Sequence, residues 1–165
     1  MPAHTADGAT TVTDCEIIAV RQLDAPRDLV FQMWTDPEHL ARWWGPSGFT
    51  TTTHAIDVRP GGHWRFTMHG PDGTDYENHI VYIEIVQSER IVYKHVPVPG
   101  AEPVSFEATV ILEDINGKTR LTVRALFPSA KALEYVAAKY GAIEGMKQHL
   151  ARLAESVSQL QKGTP

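Results

Sequence analysis

The chain has 165 residues, 42% of them apolar and 21% charged, with a formal net charge of -5 and one cysteine. That length suits a single domain with its own core. The acidic balance, with no cluster of Lys and Arg, argues against nucleic acid or an anionic membrane as a partner, and a lone thiol excludes both an internal disulfide and a thiolate-rich metal centre.

Residues 1–14, MPAHTADGATTVTD, have neither the basic start nor the apolar stretch of an export signal, and no later apolar run nears the ~20 residues that span a bilayer. They read as a flexible leader on a cytoplasmic protein, with the domain over 15–161 and a flexible end over 162–165. CEIIAVRQL predicts the first strand, in which Cys15 packs as a small hydrophobe. Asp24-Ala25-Pro26 then opens a helix striped by Leu29, Val30, Met33 and Trp34. Asp36-Pro37 opens a second, carrying Leu40, Trp43 and Trp44 to a stop at Gly45-Pro46.

From Phe49 the period becomes that of strands. FTTTTHAIDV, HWRFTMH, YENHIVYIEI, RIVYKHV, VSFEATVIL and TRLTVRALF follow one another, separated by Pro60-Gly61-Gly62, Gly70-Pro71-Asp72-Gly73, Gln87-Ser88-Glu89, a Pro-rich loop and Asn116-Gly117. Six strands joined by short turns imply an antiparallel meander. Ser129 then caps a helical stretch to about Leu160, striped by Leu133, Val136, Tyr140, Ile143, Met146, Leu150, Leu153 and Val157. Gly141 and Gly145 inside it predict either a break near Gly141 or close backbone approach. The stripe finds its partner on the inner face of the curved sheet.

This order resembles the helix-grip fold of the START-like (SRPBCC) superfamily, an α+β fold in which a curved antiparallel sheet wraps a long C-terminal helix, as in the Bet v allergens. DAPRDLVFQMWTDPEHLARWWGP, DVRPGGHWRF, GPDG, SERIVY and EGMKQHLARL are similar to the branch named for activator homologues of the heat shock protein ATPase. The resemblance implies the fold and a pocket for a small hydrophobic ligand, aromatic, polyketide-like or lipid-like, in a stress or regulatory role. Gly145-Met146 stands where the family often has Gly-Trp. Only about 15 residues precede the first strand, where eukaryotic activators carry a second, chaperone-contacting domain, so activation of a heat shock ATPase is the less favoured implication.

The strand from Tyr76 poses a problem of phase. Val81, Ile83 and Ile85 alternate as a half-buried strand should, and the same alternation puts Glu77 and His79 on the apolar face. A regular turn over Gly70–Gly73 would set Met68 opposite Asp75, Phe66 opposite Glu77 and Trp64 opposite His79; a turn at Gln87–Glu89 would set Ile83 opposite Tyr93 and Val81 opposite His95. On that register Glu77, His79, Tyr93 and His95 line a cavity walled by Trp44, Trp64, Phe66, Met68, Phe106, Met146 and Leu150. The expected occupant is a small hydrophobic molecule oriented by the polar groups. Glu77 and His79 could instead serve as acid and base of a cyclase, dehydratase or hydrolase, and His79, His95 and Glu77 match a two-His-one-carboxylate set, although no metal or other cofactor is expected. A bulge would turn Glu77 and His79 outward. Asp57 and Arg59 read as a pair bracing their turn, Trp43-Trp44 as a plug at the sheet end, and Lys147, His149 and Arg152 as a solvated helix face. A homodimer is compatible with all of this.

Overall fold

Alternating apolar residues build one antiparallel sheet of eight strands among residues 8–100 and 104–162, which the computed structural model describes. The strands are β1 (Thr10–Val12), β2 (Glu16–Leu23), β3 (Thr50–Ile56), β4 (His63–His69), β5 (Asp75–Val86), β6 (Arg90–Val96), β7 (Phe106–Ile115) and β8 (Lys118–Leu126), in the order β1-β2-β8-β7-β6-β5-β4-β3. The six-strand meander is as expected. β1 is an addition: Thr10, Thr11 and Val12 pair with Ala19, Ile18 and Ile17, so the stretch read as a flexible leader supplies an edge strand.

Helices α1 (Arg27–Thr35) and α2 (Pro37–Trp43) join β2 to β3. Asp36 caps α2, its carboxylate accepting from the Glu38 N–H at 2.9 Å, and Pro37 fills the first helical position. The C-terminal stripe forms two helices, α3 (Ala130–Tyr140) and α4 (Ala142–Lys162), because Gly141 turns left-handed at φ 62° and ends the first. Leu150, Leu153 and Val157 of α4 pack on the concave side of the sheet with Val30, Met33, Leu40 and Trp43 of the short helices. A smaller cluster under α3 joins Leu133 and Val136 to Ile17, Ala125 and Phe127. The result is the α+β helix-grip fold.

The pairing of β4 and β5 differs from expectation by one residue. Gly70 N–H bonds the Thr74 carbonyl at 2.8 Å, so His69 pairs with Asp75, Thr67 with Glu77, Phe66 with Asn78, Arg65 with His79 and Trp64 with Ile80. A slip of one exchanges the two faces of a strand. The phase is restored further on by a bulge: Tyr82 pairs with Tyr93 and Glu84 with Val92, leaving Ile83 unpaired and 48% exposed. Ile85 returns to the inner face against Ile91. The bulge abuts the Pro60-Gly61-Gly62 corner, where Gly61 N–H donates to the Tyr82 carbonyl and Tyr82 N–H donates to that of Gly62. A Cβ at Gly62 would lie 2.0 Å from the Asp57 carbonyl oxygen, so only glycine fits there. Arg59 Nε donates to Asp57 Oδ2 at 2.6 Å, the bracing pair read from sequence.

Candidate functional site

Trp64 and Phe66 project inward from β4 and stack at 3.9 Å, and Trp44, arriving from the end of α2, meets Trp64 edge-on at 4.8 Å. Trp64, Phe66 and Leu150 are each 1% exposed, too little to leave a water-sized space against them. Trp64 Nε1 donates to Thr53 Oγ1 at 3.0 Å. The hollow expected between the sheet and α4 is thus filled here by Trp44, Trp64, Phe66, Tyr93 and Leu150. Met68, Phe106 and Met146 pack at its margin, half-buried.

His95 does reach the concave side, at the margin. Its ring stacks on Phe106 at 5.1 Å, with Nδ1 3.2 Å from the Val104 carbonyl and Nε2 2.8 Å from Asn78 Oδ1. The Asn78 amide nitrogen donates to the Tyr76 carbonyl at 2.9 Å, which fixes the amide's direction. Both neighbours of the ring are therefore acceptors, and only an imidazolium satisfies both at once. Burial lowers the His95 pKa, so the neutral ring holds one of the two bonds at a time. Burial likewise raises the phenol pKa of Tyr82 and Tyr93, keeping both neutral.

Glu77 and His79 lie on the other face. Thr67 Oγ1 donates to Glu77 Oε1 at 2.7 Å while His54 Nε2 approaches the same hydroxyl at 2.6 Å. His79 Nε2 meets His63 Nδ1 at 2.7 Å, and its pKa is lowered by desolvation and by the charges of Arg65 and His63. Beside them His69 bridges Asp75 Oδ1 and Thr52 Oγ1, both at 2.8 Å. The one-residue register difference thus removes Glu77 and His79 from the concave set, and with them the triad of Glu77, His79 and His95. Among the described residues no group of three or more His, Cys, Asp or Glu is arranged to hold a metal ion.

An apolar cleft of about 460 Å³ opens between α3 and the strand ends, lined by Val104, Ser105, Phe127, Pro128, Ala132, Tyr135 and Val136, with Lys131 at its rim. It adjoins His95 through two routes: the Val104 carbonyl faces His95, and Phe106, stacked on His95, lies 5.2 Å from Phe127. A second cleft of about 570 Å³, at the opposite end of the strands, is bordered by Arg27, Glu84, Glu89, Arg90, Glu113 and Asp114. None of the candidate site residues read from sequence lines either cleft. Val136 carried a signal in the apolar helical stripe, and Val104 and Phe127 as apolar positions at the ends of VSFEATVIL and TRLTVRALF, but alternation marks a buried position without marking an opening.

α2 is locked to α4 by two residues that read as solvated. His149 Nδ1 accepts from the Gly45 N–H at 2.9 Å, and its ring packs against Trp34, Trp43 and Trp44 at 6.1, 4.7 and 4.5 Å. Burial pushes its pKa down to about 3. Arg152 donates to the carbonyls of Trp44, Gly45 and Pro46 at 3.1, 3.1 and 2.9 Å and to that of Arg42 at 3.2 Å, closing the C-terminal end of α2.

Residues 24–158 match the family model described as Activator of Hsp90 ATPase homolog 1-like protein. Among solved structures, a protein from Arthrobacter aurescens is 26% identical with a TM-score of 0.85, over 92% of this chain and 91% of that one. A protein from Nitrosomonas europaea is 23% identical with a TM-score of 0.80, over 92% and 99%. One from Mycobacterium smegmatis is 21% identical with a TM-score of 0.79, over 95% and 98%. The comparison with curated proteins finds no match.

Proposed function

The chain belongs to the family of Activator of Hsp90 ATPase homolog 1-like proteins, and from that premise we propose that it binds a small hydrophobic molecule, aromatic or lipid-like, in the cleft beneath α3. The observation that carries this reading is the cleft itself: about 460 Å³, within the range of small-molecule sites, apolar on most sides and backed by the His95–Phe106 stack. Apolar walls supply affinity without direction. Ser105, Ser129 and Lys131 at the cleft supply the few polar groups that orient a guest.

The catalytic alternative, a cyclase, dehydratase or hydrolase using Glu77 and His79 as acid and base, has less support. The two side chains stand on the outer face and each is engaged by a different neighbour, Thr67 and His63. Activation of a heat shock ATPase, the activity in the family's name, draws no support from the geometry of the site.

A thermal-shift screen with flat aromatic and medium-chain aliphatic compounds tests the proposal. A ligand at 100 times its Kd adds about 2.7 kcal/mol to the folded state, a rise of several degrees in Tm. Ala132→Trp, which places an indole in the cleft, is expected to abolish the rise. Equal rises in both proteins, or none with any compound, would count against the cleft.

A further inference from the structure

His63 and His79 project from the outer face of adjacent strands. We propose that this pair is a two-imidazole binding site for a divalent transition metal, Cu(II) above all and Ni(II) next. His63 Nδ1 and His79 Nε2 are 2.7 Å apart, with ring centroids at 4.9 Å and planes inclined by 27°. Two nitrogens each ~2.0 Å from one ion are about 2.8 Å apart when they subtend a right angle and about 3.3 Å apart in a tetrahedron. The hydrogen-bonded pair is thus already near the spacing that one shared ion requires, and a small turn of the rings reaches it. Among divalent first-row ions Cu(II) binds nitrogen donors most strongly.

The backbone holds the pair in place. His79 pairs with Arg65 across the β4–β5 ladder, and His63, two residues along β4, pairs with Val81, so the two histidines are diagonal neighbours on one face of paired strands. In the absence of an ion the pair shares one proton in an N–H···N bond. On metal binding, whichever ring carries that proton shifts to its other tautomer through solvent, and both rings turn their free lone pairs to the ion. Two neutral imidazoles thus bind one cation without net proton release, and water completes the coordination. Arg65, opposite His79, repels the dication and sets the site's weakness; Glu77, two residues along β5, attracts it.

The test is calorimetric titration of Cu(II) chloride into a His4→Ala background, which removes a histidine of the N-terminal segment as a competing ligand, with electron paramagnetic resonance of the complex. One ion per chain is expected, with two equatorial nitrogens in the spectrum. His63→Gln and His79→Gln should each weaken binding by about tenfold or more, Arg65→Gln should tighten it, and His54→Gln, on the same face, should leave it unchanged. Circular dichroism checks that each variant keeps its fold. Copper affinity unchanged in both His63→Gln and His79→Gln, or a spectrum lacking two nitrogen ligands, overturns the assignment.

Discussion

On α4, His149 follows Lys147 and Gln148 in a stretch of charged and polar residues, yet its ring lies among three indoles and accepts a backbone N–H from Gly45. Because burial favours the neutral ring, the folded pKa falls to about 3 while the unfolded chain titrates near the ordinary histidine value. Below that ordinary value the unfolded state takes up a proton that the folded state refuses. His149 therefore costs stability progressively as pH falls from about 6.5 towards 3, and contributes fully above that window. Urea denaturation at several pH values should show stability rising with pH across it, with a shallower slope in His149→Phe. His149→Ala should cost about 2–4 kcal/mol at neutral pH, through the void left among the tryptophans and the Gly45 N–H left unpaired. Arg152→Met removes the donors to four carbonyls at the end of α2; amide exchange over residues 44–49 should quicken while the centre of α4 stays protected. Neither role was visible in sequence, since charge spacing along a helix does not reveal which residue will sit over a neighbouring helix's open carbonyls.

Among the elements, the broken C-terminal helix separates two glycines that sequence treats alike. Gly141 needs its left-handed φ of 62°, so Gly141→Ala should cost about 1–2 kcal/mol. Gly145 lies within α4, where an added Cβ meets only Pro46 Cγ at an ordinary 3.6 Å, so Gly145→Ala should stabilise by about 0.5–1 kcal/mol. Thermal unfolding of the two variants should move Tm in opposite directions. From β2 onward the order of elements was legible because caps, turns and periodicity agree: Asp36-Pro37, Asn116-Gly117 and Ser129 all sit where they were read. The face of β5 was not legible. Ile80, Val81, Tyr82 and Ile83 are apolar in both phases, so alternation could not choose between them. The choice falls to the Gly70–Thr74 turn and the bulge at Ile83, neither of which periodicity specifies. Glu77 and His79 followed that choice to the outer face.

At the scale of the molecule, Trp44, Trp64, Phe66 and Leu150 pack into the grip between sheet and α4, and the apolar cleft proposed to take a guest lies at one end, under α3. The aromatic and aliphatic residues expected to wall a pocket mostly serve as core, and the expected chemistry divides between a histidine-rich outer face and the His95 margin. The most direct measurement is the position of a bound hydrophobic probe, 8-anilinonaphthalene-1-sulfonate, from intermolecular nuclear Overhauser effects on isotope-labelled protein. Effects to the side chains of Val104, Phe127, Ala132 and Val136 are predicted. Effects confined to Trp64, Phe66 and Leu150 would mean that the grip opens, and would contradict both the packed interior and the cleft.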